Sequence, residues 1–148
     1  MICMACDLTS GTRPLPGGRI LQTGCWVVEH CVGPLGLGTL IVKPVRHVEH
    51  VADLTEAESV ELGPLLRQVS ATITEVISPE QVYVCLWSHA EARPCHIHFV
   101  VQPASKADMD RFGAYGPALQ MAMFSEGTLP DEAAVVEICE RFRQVLSH

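Results

Sequence analysis

The stretch that most constrains this chain of 148 residues is Cys95-His96-Ile97-His98-Phe99-Val100-Val101-Gln102. Pro94 precedes it and Pro103 follows, so both ends carry a chain-breaking residue. Side chains on a β-strand alternate between two faces. Read as a strand, residues 95–102 place Cys95, Ile97, Phe99 and Val101 on one face, which is wholly apolar and is expected to pack on a core. His96, His98, Val100 and Gln102 fall on the other. Two histidines two apart on a strand stand about 6.6 Å apart, twice the strand rise. They can hardly both bond one metal in regular strand geometry, but one can hold a metal while the next faces a ligand. Two solvated imidazoles are the competing reading of the same pattern.

The rest of the chain supplies neighbours for that strand. Residues 25–29 and 39–43 read as strands joined by a turn at 33–38, where three glycines and Pro34 fall. Residues 82–87 form a further strand. Thr55-Glu56-Ala57-Glu58 is a capping box, and Val60, Leu65, Leu66, Val69, Ile73 and Val76 continue at near-helical spacing. Gly63-Pro64 is expected to break or kink that helix. A last helix runs from Pro130-Asp131 to about Leu146, with Val135, Ile138, Phe142 and Val145 on one stripe. Residues 8–18 read as a loop and 116–124 as a short helix. The order β-β-α-β-β-α predicts an α+β domain, an antiparallel sheet with flanking helices. Trp26 and Trp87 are expected in the core, and Met109, Met121 and Met123 in helix packing.

Composition narrows the function. The length and a hydrophobic share of 48% suit one domain over residues 1–148 that needs no disulfide staples. A net charge of −7 argues against duplex nucleic acid as a partner. No apolar run reaches the roughly 18 residues of a membrane span, so no membrane insertion is expected. The first residues lack a basic start and an apolar h-region, and the cysteine count is odd at seven. Together they predict a cytoplasmic protein with mostly free thiols.

Two of those cysteines have chemically suggestive spacing. Cys3-Met4-Ala5-Cys6 can set two thiolates on one tetrahedral zinc, with two more ligands to come from His47, His50, His96 or His98. A redox pair is the competing reading, although that chemistry wants a strand before the motif and a helix opening on it. A third segment, Leu40 through Lys43-Pro44-Val45-Arg46-His47-Val48-Glu49-His50, is a strand running into a proline turn, basic residues and histidine.

In that order these segments resemble the histidine triad superfamily of nucleotide hydrolases and transferases. The resemblance covers residues 3–103; residues 104–148 read as a C-terminal helical extension. It implies a half-barrel-like antiparallel sheet with flanking helices, often dimeric. Its zinc-carrying members, including the galactose-1-phosphate uridylyltransferase branch, imply Cys3, Cys6, His47 and His96 as ligands of a structural zinc, with His50 the alternative to His47. The middle triad histidine falls on His98, which is implied to attack phosphorus and form a nucleotidyl-histidine. Dinucleoside polyphosphates and nucleoside phosphoramidates are the implied substrates. Ser88, Arg93 and Gln102 are the nearest candidates to bind them.

The chain also departs from the pattern. Val100 occupies the third triad position, where the family has His or Gln. Glu91-Ala92-Arg93-Pro94 stands where a Gly-Gln-Ser/Thr segment contacts phosphates, and the acidic residue expected near Cys31 is absent, with Glu29 two residues away. These departures favour an alternative reading, a zinc-stabilised nucleotide-binding module with little or no turnover. A redox or metal-sensing protein built on Cys3 and Cys6 is a third.

Overall fold

The computed structural model describes residues 3–88 and 95–147. Five strands, β1 (Arg19–Gln22), β2 (Trp26–His30), β3 (Leu40–Pro44), β4 (Gln81–Leu86) and β5 (Phe99–Ala104), form one open sheet in the order β1-β2-β3-β5-β4. Every neighbouring pair is antiparallel. Five α-helices accompany it: α1 (Met4–Ser10), α2 (Glu56–Ile77), α3 (Lys106–Phe112), α4 (Gly116–Glu126) and α5 (Glu132–Leu146). The α+β expectation holds.

The register sorts the strands into two faces. Val28 pairs with Val42 and Val42 with Phe99, so Trp26, Val28, Leu40, Val42 and Val101 share a face. That face carries the main core, packed against Leu65, Val69 and Ile73 of α2 and Val135, Ile138 and Phe142 of α5. The opposite face is more polar. Its central row is Glu29, Ile41, Val100 and Cys85, and its next carries Val27 and Lys43. Contacts from α1 and α4 reach this face: Lys43 Nζ donates to the Ala5 carbonyl, and Gln102 Nε2 donates to Met123 Sδ.

The capping box at Thr55 is present in both directions and starts α2 at Glu56. The expected break at Gly63-Pro64 does not occur, and α2 runs through Pro64. Val60, whose carbonyl loses its partner, lies on the solvent side and is 69% exposed, so water can satisfy that group. In the turn between β2 and β3, Gly38 adopts φ 88, and a Cβ there would lie 2.3 Å from Ile77 Cδ1. Its N–H donates to Nε2 of the buried His30, which closes the turn.

Four short elements differ from the sequence reading. The loop expected at 8–18 overlaps the end of α1, and β1 and α3 were not anticipated. The strand expected from residue 95 starts only at Phe99. Pro44 is the reason: continuing the β3–β5 register would place it against Ile97, and proline has no N–H to donate. Ile97 bonds instead to the Val48 carbonyl at 2.8 Å. Trp26 is fully buried as expected, whereas Trp87 is 63% exposed and Met121 65% exposed.

Candidate metal centre and histidine site

Four donors converge from distant parts of the chain. Cys3 caps α1, and its Sγ accepts the Cys6 N–H at 3.4 Å, which turns both thiols the same way. His47 follows β3 through the Pro44 turn, and His96 precedes β5. The ligand atoms of Cys3, Cys6, His47 and His96 all lie within 4.8 Å of one another. Cys6 Sγ is 3.5 Å from His47 Nδ1 and 3.5 Å from His96 Nδ1, and Cys3 Sγ is 3.7 Å from His96 Nδ1. A tetrahedral zinc, with Zn–S of about 2.3 Å and Zn–N of about 2.0–2.1 Å, separates a sulfur from a nitrogen by about 3.6 Å. The donor set and its spacing therefore fit zinc. His50 is exposed and lies outside this group.

The second ring nitrogens decide which lone pairs are available. His96 Nε2 is 2.8 Å from the Pro44 carbonyl, which can only accept, so Nε2 carries the proton and Nδ1 is free for a metal. His47 Nε2 is 3.4 Å from Glu49 Oε1, which assigns the same tautomer there. Burial above all pushes His96 down to about 4, so it is neutral, the form that ligates. Burial, followed by the adjacent Cys3, pushes the Cys6 thiol up to about 11. A bound cation would favour the Cys6 thiolate. A second group, His47, Glu49 and Cys95, overlaps the first through His47.

His98 is half-buried beside this centre. Its Nδ1 lies 3.1 Å from the His96 carbonyl, so Nδ1 carries the proton and the Nε2 lone pair is left for chemistry. Ser88 braces it: Ser88 Oγ accepts the His98 backbone N–H at 3.3 Å and stands 3.3 Å from Nδ1. Because Oγ accepts from His98, the Ser88 hydroxyl proton is free to point elsewhere.

Two remaining expectations fare differently. Gln102 is fully buried, and its amide is already engaged with the Leu35 carbonyl, Met123 Sδ and Gln120 Nε2. It tethers α4 and the β2–β3 turn to the sheet and has no exposed surface for a substrate, which corrects its place among the binding residues. Arg93, with the rest of residues 89–94, lies outside the described residues. Val100 is buried and apolar, so the third triad position offers no polar group.

The same architecture occurs in solved structures. One is a hypothetical histidine triad nucleotide-binding protein from Sulfolobus tokodaii, at TM-score 0.75 and 16% identity, covering 98% of this chain and 92% of that one. A zinc-bound histidine triad family protein from Mycobacterium smegmatis matches at TM-score 0.72 and 18% identity, over 98% of this chain and 93% of that one. A member of that family from Bacillus subtilis matches at TM-score 0.65 and 18% identity, over 85% and 94%. The chain has the histidine triad fold. No family model and no curated protein matches it by sequence.

Within that fold, three features escaped the sequence reading. Glu49 and the Pro44 carbonyl orient the two imidazoles, and the only trace of them is their closeness to His47. Lys43 and Glu29 form a buried ion pair of 2.6 Å, with side-chain exposures of 1% and 3%. Each looks unremarkable alone; the pairing appears only once β2 and β3 are in register.

The Gln102 assignment yields a direct test. Gln102→Leu removes one donor to the Leu35 carbonyl and one acceptor of the Gln120 amide, which keep Thr39 Oγ1 and Cys85 Sγ as partners, and is expected to cost about 0.5–1.5 kcal/mol by urea denaturation. Unchanged stability with weakened ligand binding would return Gln102 to the binding residues.

Proposed function

We propose that this chain is a nucleotide phosphohydrolase or nucleotidyltransferase that works through His98. The observation that carries this reading is the fixed His98 tautomer, with Nδ1–H spent on the His96 carbonyl and Nε2 left as a lone pair. In the first step Nε2 attacks the α-phosphorus of a dinucleoside polyphosphate or nucleoside phosphoramidate. A P–N bond forms, and the bond from phosphorus to the leaving group breaks. Water or another phosphate then attacks phosphorus and releases His98. The Ser88 hydroxyl, with its proton free, is our candidate donor to a phosphoryl oxygen, and Arg93 keeps the same candidacy.

In the same reading Cys3, Cys6, His47 and His96 hold a structural zinc. Four protein ligands close the coordination sphere, so the metal's contribution is to folding rather than to the reaction. The zinc-bound Mycobacterium smegmatis neighbour supports this. No helix among the described residues is long and apolar enough to cross a membrane, and a cytoplasmic location remains part of the proposal. The buried Val100 favours the second reading, a zinc-stabilised nucleotide-binding module with little turnover.

We also assign the open edge of β4 to a second copy of this chain. Gln81–Leu86 carries no charge, and such an edge is normally protected by charge or cover unless it pairs. A two-fold axis through Val84, 45% exposed, would lay two such edges antiparallel.

Three measurements test these assignments. Wild type offered dinucleoside polyphosphates and adenosine phosphoramidate is expected to release nucleoside monophosphate, and His98→Ala to lose about a thousandfold or more in kcat with an unchanged melting temperature. Binding without release would select the module reading. The purified protein is expected to carry one zinc per chain, and chelation or Cys6→Ala to lower Tm by at least about 5 °C; absence of zinc removes the metal assignment and leaves His98 standing. Val84→Lys is expected to convert a dimer to a monomer in sedimentation, and a wild-type monomer would dismiss the β4 interface.

A further inference from the structure

The indole of Trp87 is 63% exposed, whereas the chain's other tryptophan, Trp26, is fully buried. A single exposed apolar side chain is ordinary on a protein surface. The place of this one is not, because it stands beside the His98 imidazole. Cys85 pairs with Val100 and Leu86 with Phe99, so one further step along β4 and β5 sets Trp87 level with His98. Ser88 Oγ, 3.3 Å from the His98 backbone nitrogen, keeps the two segments together past the last pair. Side chains alternate along a strand, so Trp87 projects from the face of Cys85 and Val100, which is the face of the triad positions. Residues directly opposite on such a face have Cβ atoms about 4.5–5.5 Å apart.

Trp87 also borders a cavity of about 480 Å³ between β4 and α4, together with Tyr83, Cys85, Pro117 and Gln120. That volume falls within the about 300–1,000 Å³ usual for small-molecule sites. Gln120 Nε2 donates to Cys85 Sγ at 3.3 Å and the Gly116 N–H donates to Tyr83 Oη at 2.8 Å, so α4 is fixed to β4 as the far wall. No residue that lines the cavity carries a charge. Phosphate oxygens want charged partners, which these walls do not supply. A flat, uncharged ring suits them: it buries apolar surface and meets the π face of the indole. Every nucleobase has such a face, so stacking on an aromatic side chain tolerates any base. A second copy on the β4 edge pairs in the plane of the sheet, and so extends this face rather than covering it.

We propose that Trp87 and the cavity it borders are a subsite of the His98 site that holds one planar heteroaromatic group of the substrate by stacking on the indole. This deepens the nucleotide reading above and rests on it. Two groups have that chemistry, the base of the nucleotide that His98 attacks and the base of a leaving nucleotide. Trp87 binds the ring and takes no part in making or breaking bonds.

The test measures wild type, Trp87→Ala and Trp87→Phe on three substrates: diadenosine triphosphate, adenosine phosphoramidate and ribose 5-phosphoramidate, which has no base. Trp87 is exposed, so both variants are expected to fold as wild type does. Trp87→Ala is expected to lose about five- to hundredfold in kcat/KM on diadenosine triphosphate, the worth of one base–aromatic stack, and nothing on ribose 5-phosphoramidate. Trp87→Phe keeps an aromatic face and is expected to keep most of the wild-type value. A matching loss on adenosine phosphoramidate, whose leaving group is ammonia, assigns the subsite to the base of the attacked nucleotide. No loss there assigns it to the base of the leaving nucleotide. No loss on any substrate, or an equal loss on all three, overturns the stacking role and leaves the nucleotide reading intact; the equal loss would mean that Trp87 only props His98. If the substrates are bound but not turned over, the same ratios are read as Kd by calorimetry, with the same outcomes. If none is bound or cleaved, the nucleotide reading fails and this proposal falls with it.

Discussion

The buried imidazole of His96 is the joint on which the site depends. Its Nε2–H is pinned to the Pro44 carbonyl at the end of β3, its Nδ1 faces the two thiols of α1, and its own carbonyl holds Nδ1–H of His98. One residue thus joins the sheet, the N-terminal helix and the His98 imidazole. The constraint runs in both directions. With seven residues, α1 is far below the length at which an isolated helix is stable in water, so tertiary contacts must hold it. The Cys–His cluster supplies one such contact and the Lys43 bond to Ala5 another. Anything that displaces His96 loosens α1 and frees the His98 ring together.

The long elements were readable from the sequence because their signals are local. The capping box located the start of α2, and the apolar stripe of α5 located its buried face. The Cys–His cluster was anticipated through the family resemblance, since the C-x-x-C spacing alone left His47, His50, His96 and His98 open as its partners. What escaped depends on tertiary partners. Pro44 withholds an N–H from Ile97 only because the two residues are brought opposite each other, and that shortens β5. Gln102 looks like a free polar group on a strand face, and only the packing of α4 reveals that its amide is committed. The α1 and β1 segments are four to seven residues long, too short for periodicity to register.

The two faces of the sheet follow different physics. One is closed by aliphatic and aromatic side chains of α2 and α5, where burial alone is favourable. The other buries Lys43, Glu29, Gln102 and Gln120, each of which needs partners in register. A buried ion pair such as Lys43–Glu29 seldom adds stability over a well-packed apolar pair.

Val100 sharpens that contrast. A valine can neither donate to a phosphoryl oxygen nor tune the imidazole two residues before it. The polar groups around His98 must then come from neighbours. Ser88 is the nearest of them: its oxygen accepts from His98, which leaves its hydroxyl proton free. Lys43 is less suited to the phosphate, because Glu29 neutralises it and Ala5 shares it. In the proposed reaction, charge stabilisation at phosphorus is thinner than a third histidine would make it.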